Sequence, residues 1–273
     1  MNGRSLKSPW VDGRKMWTTF SAAIRGLNKS RCQDATYAAK TGHHIVLAVA
    51  DGVGSHKHSA LGSHRAIQLV RSLSPQLLES SLQPQDIGRR LFGQVVHQWS
   101  RWAHSLPASD AHAPQFNNVQ TTLAIAVIEN DDVSVLSIGD SLLFMQGHSG
   151  PFLNLLSVQR SDSGSVNTIG NIENGARPRH LNINDPTMTK VVLTTDGVER
   201  LLMRRPTSDT DDKPFHYVHD SLRKAFDATD FRDGTSKRKL IDSISQGLIR
   251  RHGAKGDDIG IAAAFQNHLP MRP

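Results

Sequence analysis

The chain has 273 residues, enough for one large domain or two small ones, because single hydrophobic cores stop growing at about 250 to 300 residues. Apolar residues make up 37% and charged residues 21% of the chain, which supplies a core and excludes an intrinsically disordered protein. The net charge of +7 permits anionic partners, but the basic residues are scattered and no aromatic-interleaved basic stripe accompanies them, so we expect no nucleic-acid partner.

The first predicted elements are a buried strand and two helices. Residues 45–50 (IVLAVA) are a short apolar run bounded by polar residues, which is typical of a buried strand. A helix is predicted over about 59–73, with Ser59 as its N-cap. A longer helix follows, because apolar residues between Ile87 and Leu106 recur at steps of three or four and form one apolar stripe.

The second half of the chain adds further strands and one helix. The runs 121–128 and 133–138 are separated by four polar residues and are predicted to form a hairpin. Strands are also predicted at 191–195 and 259–265, with a helix over about 236–250. Because strands and helices are grouped rather than alternating, the order favours an α+β layered sandwich over repeated β-α-β units.

Neither membrane insertion nor export is expected. The longest apolar runs are far shorter than the roughly 18 to 20 residues that span a bilayer. The polar N-terminal residues lack the apolar core of a signal peptide. The single cysteine, Cys32, cannot form an internal disulfide, which agrees with a reducing compartment. We therefore expect a cytoplasmic protein with no membrane partner.

Aspartates stand at the ends of the apolar strands. They occur in Asp51-Gly52 after 45–50, Gly139-Asp140 after 133–138, Asp196-Gly197 after 191–195, and Asp257-Asp258 before 259–265. A strand end holds its side chain rigidly, and an adjacent glycine lets the backbone turn sharply. If these ends converge, their oxygen atoms select Mg²⁺ or Mn²⁺ over zinc or copper. A single Asp-Gly is most often only a turn, so spacing alone leaves a metal site and ordinary turns both open.

Six short motifs occur in order along the chain. They are Cys32-Gln33-Asp34-Ala35, Ala50-Asp51-Gly52-Val53-Gly54-Ser55, Thr121-Thr122-Leu123, Ile138-Gly139-Asp140-Ser141, Thr195-Asp196-Gly197-Val198 and Asp257-Asp258-Ile259. In this order they resemble the motifs of the protein phosphatase 2C family. The resemblance covers about residues 18–265 of a single domain over 1–273, and the Cys-Gln-Asp form is similar to a bacterial branch of the family.

The resemblance implies a four-layer α-β-β-α sandwich, in which two antiparallel sheets pack face to face and are flanked by helices. A centre of two Mn²⁺ or Mg²⁺ ions would lie at one edge of the sandwich. By motif position, Asp51 would bridge the two ions and the Gly52 carbonyl would bind one of them. Asp196 and Asp257 would complete the shell of the other ion. Asp34 would lie in the outer shell or on a metal-bound water, and these four aspartates would form the catalytic set.

Three positions leave alternatives open. Asp140 is either a ligand of a third metal ion, as its position in bacterial relatives implies, or a turn-forming residue. For Asp258 we expect a structural role, or a role in holding the metal ligands, rather than direct ligation. Gln33 stands where the family usually has Glu, and it cannot supply a negative charge to the shell.

The reaction implied by the resemblance is in-line attack on phosphorus by a water that the two metal ions activate, without a side-chain nucleophile. Lys29 stands where the family usually has an arginine that binds phosphate, so we expect Lys29 to bind the phosphate, with Arg25 and Arg31 as alternatives. His56 and His58 follow the Asp-Gly closely, and each is either a leaving-group acid or an ordinary polar residue.

The leading hypothesis is a metal-dependent serine/threonine protein phosphatase that acts on phosphorylated proteins and works with a cognate Ser/Thr kinase. The alternative is a catalytically impaired relative that binds phosphoproteins as a regulatory module, which Gln33 and Lys29 motivate. A metal enzyme that hydrolyses nucleotides or nucleic acids also fits an oxygen-lined site. The segment 147–190, rich in Gly, Ser, Asn and Pro, aligns with a flap beside the family's active site and is predicted to select substrates.

Overall fold

The computed structural model describes residues 10–11, 14–107, 113–148, 153–156, 165–198, 203–204, 217–218, 220–252 and 256–266. The strands are β1 (Trp10–Val11), β2 (Arg14–Lys15), β3 (Trp17–Ile24), β4 (Asp34–Thr41), β5 (His44–Asp51), β6 (Leu123–Glu129), β7 (Asp132–Ile138), β8 (Leu142–Gly147), β9 (Leu153–Asn154), β10 (Arg179–Asn184), β11 (Met188–Thr194), β12 (Met203–Arg204), β13 (Tyr217–Val218) and β14 (Ile259–Gln266). The helices are α1 (Ser59–Leu78), α2 (Pro84–His104), α3 (Asp220–Asp227) and α4 (Gly234–His252).

Two large antiparallel sheets dominate the fold. One has five strands in the order β10-β7-β6-β5-β4, and the other has seven in the order β12-β13-β9-β8-β11-β14-β3. Strands β1 and β2 form a separate two-stranded ribbon. Helices α1 and α2 pack on the five-stranded sheet, while α4 contacts β3 of the other sheet. The expected α+β fold, with two antiparallel sheets flanked by helices, is confirmed.

Three apolar clusters fill the spaces between the four layers. The cluster under α1 and α2 takes Val46 and Ala48 from β5, whereas the cluster between the sheets takes Ile45, Leu47 and Val49 from the same strand. A third cluster joins the seven-stranded sheet to α3 and α4. Strand β5 is therefore buried on both faces, which explains why it is a continuous apolar run rather than an alternating one.

The predicted hairpin and helices are present, with one error at a helix start. Strands β6 and β7 pair from Leu123 opposite Ile138 to Glu129 opposite Asp132. Helix α1 runs beyond the predicted end to Leu78, and α2 and α4 lie where they were predicted. Ser59, predicted as the N-cap of α1, is instead its first residue, and His58 at the N-cap makes no side-chain capping hydrogen bond. The Ser59 hydroxyl is engaged elsewhere, since it donates to the His56 carbonyl and accepts from Gln33 Nε2.

The segment 147–190 is described only in part, because residues 149–152 and 157–164 lie outside the described residues. Its C-terminal part is regular structure, since β10 pairs along its whole length with β7 and β11 begins at Met188. Strand β10 alternates partly buried and exposed residues, as an edge strand with one wet face does. The substrate-selecting role of this segment stays a prediction.

The topology brings the strand ends that carry aspartates to one end of the sandwich. Strand β4 starts opposite the end of β5, and β6 starts opposite the end of β7. In the other sheet, the start of β8 and the start of β14 both pair with the end of β11. The turn from β7 to β8 joins the two sheets at this same end. None of the helices that the structure describes is long and apolar enough to cross a membrane.

Candidate metal centre

Asp34 and Asp51 face each other across neighbouring strands. They are a register pair of β4 and β5, and residues directly opposite in an antiparallel pair project their side chains to the same side. The Asp34 side chain is buried, and the two carboxyl groups share a hydrogen bond. The backbone of Asp51 is fixed by two threonines, because its N–H donates to Thr122 Oγ1 at 3.0 Å and its carbonyl accepts from Thr121 Oγ1 at 2.7 Å.

Asp51, Asp140 and Asp196 form a compact carboxylate cluster. Each offers one oxygen, and these oxygens lie within 4.8 Å of one another. Asp140 follows Gly139 in the turn from β7 to β8, where a φ of +114° lies in the left-handed region that favours glycine. Asp196 begins a short 3₁₀ helix directly after β11. The cluster thus gathers three of the predicted strand ends, including Asp140, whose role the sequence left open.

The electrostatics of this cluster favour bound protons or a bound cation. Burial, together with the charge of Asp34, raises the pKa of Asp51 well above its usual range. Burial and the charge of Asp140 raise the pKa of Asp196 to about 7. Burial also raises the pKa of Asp34 to about 6, although hydrogen bonds from Asp51 and Thr195 oppose that rise. Close carboxylates repel one another in a low-dielectric site unless a positive charge neutralises them.

Thr195 holds Asp34 in place from the facing sheet. Its Oγ1 donates to Asp34 Oδ2 at 2.6 Å and accepts from the Gly260 N–H at 2.8 Å. The hydroxyl therefore connects the end of β11 with the start of β4 and with β14. Thr195 is fully buried, so water cannot replace either hydrogen bond easily.

Gly52 lies where α1 approaches the site most closely. Its N–H donates to the Gln33 carbonyl at 3.1 Å. A Cβ at this position would lie 2.7 Å from the carbonyl carbon of Ser59, closer than real Cβ contacts, so a larger residue would push the first turn of α1 away from Asp51. The sequence predicts the Gly52 carbonyl as a metal ligand, and this stays a prediction.

Asp257 lies beside the cluster but has a different partner. Its carboxylate forms an ion pair with the Lys29 ammonium, and its Oδ1 also accepts the Asp258 N–H at 2.9 Å. Its charge contributes to the raised pKa values of Asp34 and Asp196, which places it near them. The ligand atoms that lie within 4.8 Å of one another nevertheless come from Asp51, Asp140 and Asp196.

Asp258 ties two segments together. Its buried carboxylate accepts the N–H groups of Gly26 and Gln33, each at 2.7 Å, and the Lys29 ammonium at 3.2 Å. These contacts fix the loop between β3 and β4 against the start of β14, in agreement with the expected structural role. Burial lowers the pKa of Lys29, but the hydrogen bonds and charges of Asp257 and Asp258 outweigh it and raise that pKa above its ordinary value.

Gln33 supports the site through its amide rather than through a charge. Its Nε2 donates to Ser59 Oγ at 2.8 Å, and its Oε1 accepts from Lys29 at 3.2 Å. Its backbone carbonyl accepts from the Ser63 hydroxyl. The first turns of α1 thereby hold the loop before β4, a link that the sequence does not reveal because it depends on how α1 packs.

The remaining predicted residues lie around this region. Arg25 and Arg31 bond to backbone carbonyls, of Ser30 at 3.4 Å and of Lys57 at 3.0 Å. His56 and His58 lie in the turn between β5 and α1, and their catalytic role stays a prediction.

Cys32 is not poised as a nucleophile. Burial is the main cause that raises the pKa of its thiol to about 12. At neutral pH the residue is therefore a thiol rather than the thiolate that attacks phosphorus. This agrees with a reaction that uses no side-chain nucleophile.

A comparison with models of protein families identifies the family of this chain. A family model described as Protein phosphatase 2C matches residues 26–240. This match spans more than half of the chain, so the protein belongs to the protein phosphatase 2C family. No curated protein matches the chain.

Three solved structures illustrate the likeness in fold. PppA, described as a key regulatory component of T6SS in Pseudomonas aeruginosa, is 16% identical with a TM-score of 0.65, over 93% of this chain and 99% of that chain. The serine/threonine phosphatase of S. agalactiae is 16% identical with a TM-score of 0.64, over 92% and 100%. The catalytic domain of the serine threonine protein phosphatase PstP, in complex with 2 manganese ions, is 16% identical with a TM-score of 0.64, over 91% and 97%. At these identities the likeness shows the fold.

Proposed function

We propose that this protein is a metal-dependent phosphatase that hydrolyses phosphoserine and phosphothreonine in proteins. The observation that carries the proposal is the cluster of Asp51, Asp140 and Asp196, whose oxygens lie within 4.8 Å of one another at the strand ends. Membership of the protein phosphatase 2C family and the likeness to serine/threonine phosphatases support it. The physiological substrate would be a phosphoprotein made by a cognate Ser/Thr kinase.

The residues present fit Mn²⁺ or Mg²⁺. The cluster offers only carboxylate oxygens, the ligands that hard divalent cations prefer. Burial, and after it the charges of neighbouring aspartates, raise the pKa values of Asp51 and Asp196, and a bound positive charge would offset both effects. We propose that Asp51 bridges two ions, that the Gly52 carbonyl binds one of them, and that Asp196 and Asp257 complete the shell of the other. Asp140, whose oxygen lies within 4.8 Å of those of Asp51 and Asp196, would hold a third ion.

When bound, the ions would supply a water that ionises near neutral pH and would neutralise charge on the phosphoryl oxygens. The chain's own residues set up the geometry for this chemistry. Thr195 fixes the orientation of Asp34 beside Asp51. Thr121 and Thr122 hold the Asp51 backbone, so its carboxylate stays directed into the centre. For the phosphoryl group, Lys29 remains the proposed cationic anchor.

The test is hydrolysis of phosphoserine and phosphothreonine peptides with and without Mn²⁺. We expect Mn²⁺-dependent turnover, and we expect Asp51→Asn and Asp196→Asn each to lower kcat/KM by roughly a hundredfold or more, because even partners of metal ligands are worth about 10- to 100-fold. Asp86→Asn, at a half-exposed position on α2, is the matched control. Full activity in the Asp51 or Asp196 variant would sink the proposed centre, and preferential turnover of nucleotides or DNA would redirect the substrate class.

One observation favours a second candidate, a catalytically impaired relative that binds phosphoproteins. The Lys29 ammonium holds Asp257, so one carboxylate of the proposed centre already has a cationic partner. A folded protein that binds the phosphopeptide, retains it with Mn²⁺ present and never releases phosphate would establish this alternative.

A further inference from the structure

Two segments beside the candidate metal centre carry basic residues and no acidic ones. One is the loop 25–33 between β3 and β4, and the other is 52–78, which runs from the turn after β5 to the end of α1. Both border the centre, since Asp34 follows the first segment and Asp51 precedes the second. Neither contains an aspartate or a glutamate. Their basic residues are Arg25, Lys29, Arg31, Lys57, Arg65 and Arg71.

Three of these cations are exposed and adjoin one another across the two segments. They are Arg25, Arg31 and Lys57, which we call the basic patch. Arg25 Nη1 donates to the Ser30 carbonyl at 3.4 Å, so this guanidinium lies beside the residue that precedes Arg31. Arg31 Nη2 donates to the Lys57 carbonyl at 3.0 Å, which joins the loop to the turn before α1. Within the part of the chain that the structure describes, no cation of the patch forms an ion pair with a carboxylate.

Other cations of the two segments are already engaged by the protein. The Lys29 ammonium pairs with Asp257, and the Arg65 guanidinium lies over the Trp102 ring, 6.0 Å from its centroid. The basic patch instead directs its charges to solvent. Neighbouring like charges repel one another, and a carboxylate supplied by another molecule would relieve that repulsion.

We propose that the basic patch selects phosphoproteins in which acidic side chains flank the phosphorylated residue. The inference rests on the proposed phosphatase function and names its substrate class. When the phosphoryl group lies at the metal centre, the residues next to it in the substrate pass over the adjoining surface, which includes the loop before Asp34 and the turn after Asp51. Aspartate or glutamate at these positions pairs with the patch, whereas lysine or arginine is repelled. Complementary charge thus favours one class of phosphoprotein and disfavours the other.

Two phosphothreonine peptides measure this preference. They are identical except that the residues on either side of the phosphothreonine are glutamates in the acidic peptide and glutamines in the neutral one. With Mn²⁺ at 0.1 M NaCl, we expect the unaltered protein to have a kcat/KM about fivefold or more higher for the acidic peptide. The preference should shrink at 1 M NaCl, because the Debye length falls from about 10 Å to about 3 Å.

Lys57→Glu tests the patch directly. The backbone carbonyl at this position still accepts the hydrogen bond from Arg31, while the new carboxylate competes with the substrate for that guanidinium. We expect kcat/KM for the acidic peptide to fall by about fivefold or more, since an exposed ion pair is worth up to about fivefold and reversal adds repulsion. The neutral peptide should change by less than about twofold. Lys57→Gln should lie between the unaltered protein and Lys57→Glu.

Lys40→Glu is the matched control, because it makes the same charge change at an exposed position at the far end of β4. Circular dichroism checks that each variant is folded. A loss confined to the acidic peptide and to the Lys57 variants supports the proposal.

Equal kcat/KM for the two peptides in the unaltered protein, or equal losses on both in Lys57→Glu, overturns this substrate class while the phosphatase stands. Turnover of neither peptide with Mn²⁺ overturns the proposed function, and this inference with it. Retention of duplex DNA at 0.1 M NaCl that Lys57→Glu abolishes, with no preference between the peptides, assigns the patch to nucleic acid and overturns the acidic substrate.

Discussion

At the scale of single residues, Thr195 offers the clearest test of how the site is held together. Its hydroxyl has two buried partners, Asp34 Oδ2 and the Gly260 N–H. Thr195→Val keeps the shape but removes the hydrogen bond that each partner makes with the hydroxyl, and an unsatisfied buried group costs about 1–3 kcal/mol. We expect the free energy of unfolding of the metal-free protein, measured by urea denaturation at pH 7, to fall by at least this amount.

Thr195→Ser is the control for this prediction because it retains the hydroxyl and loses only a methyl group. We expect it to lose less than half as much stability as Thr195→Val. Equal losses in the two variants would show that packing of the methyl group, rather than the hydrogen bonds to Asp34 and Gly260, stabilises this junction.

The contrast between Thr195 and the aspartates shows what the sequence reveals at this scale. Asp51, Asp140 and Asp196 could be singled out because each ends an apolar run beside a glycine, and such runs define strand ends. Thr195 had no such signal, since its partners are set by how β11 pairs with β14 and how the two sheets face each other. The Lys29–Asp257 ion pair joins residues 228 positions apart and likewise depends on the tertiary fold.

At the scale of elements, the crossing of α1 and α2 is anchored by Trp99. The indole is fully buried, and its Nε1 donates to the Gly62 carbonyl of α1 at 3.0 Å. Removing a buried Trp side chain costs about 3–5 kcal/mol. We expect Trp99→Ala to lower the free energy of unfolding by this amount in urea denaturation. Trp102→Ala, at a partly exposed position on the same helix, should cost clearly less.

Burial separates most of the strands that the sequence predicted from those that it missed, although β8 is buried and was missed as well. Strands β5, β6, β7 and β14 are buried on both faces, so they are recognisable as apolar runs. Strands β4 and β10 lie at the edges of the five-stranded sheet and mix polar with apolar residues. Their pattern is weak because one face contacts solvent or a partly covered layer. The arrangement into two facing sheets came from the family resemblance, since local periodicity does not specify which strands pair.

At the scale of the whole molecule, the carboxylate centre makes stability depend on pH and on metal. Burial raises the pKa of Asp34 to about 6 and that of Asp196 to about 7, and it raises the pKa of Asp51 well above its usual range. In the unfolded chain an aspartate titrates at about 3.9. Between about pH 4 and pH 7 the unfolded chain therefore releases protons that the metal-free folded protein retains. Rising pH in this window favours the unfolded chain, so these groups lower stability as pH increases.

We expect Asp51→Asn, which removes one of these carboxylates, to raise the Tm of the metal-free protein at pH 7.5 and to raise it less at pH 5. Asp86→Asn should give a smaller difference between the two pH values.

The stabilisation by Mn²⁺ should have the opposite pH dependence, because ligation requires ionised carboxylates and stabilises the folded state by mass action. The Mn²⁺-induced rise in Tm should therefore grow from pH 5 to pH 7.5 in the unaltered protein and vanish in Asp51→Asn. Thermal denaturation at both pH values, with EDTA or Mn²⁺, measures both effects. If Asp51→Asn lowered the metal-free Tm at pH 7.5, this carboxylate would stabilise the fold rather than hold charge in place for a metal ion.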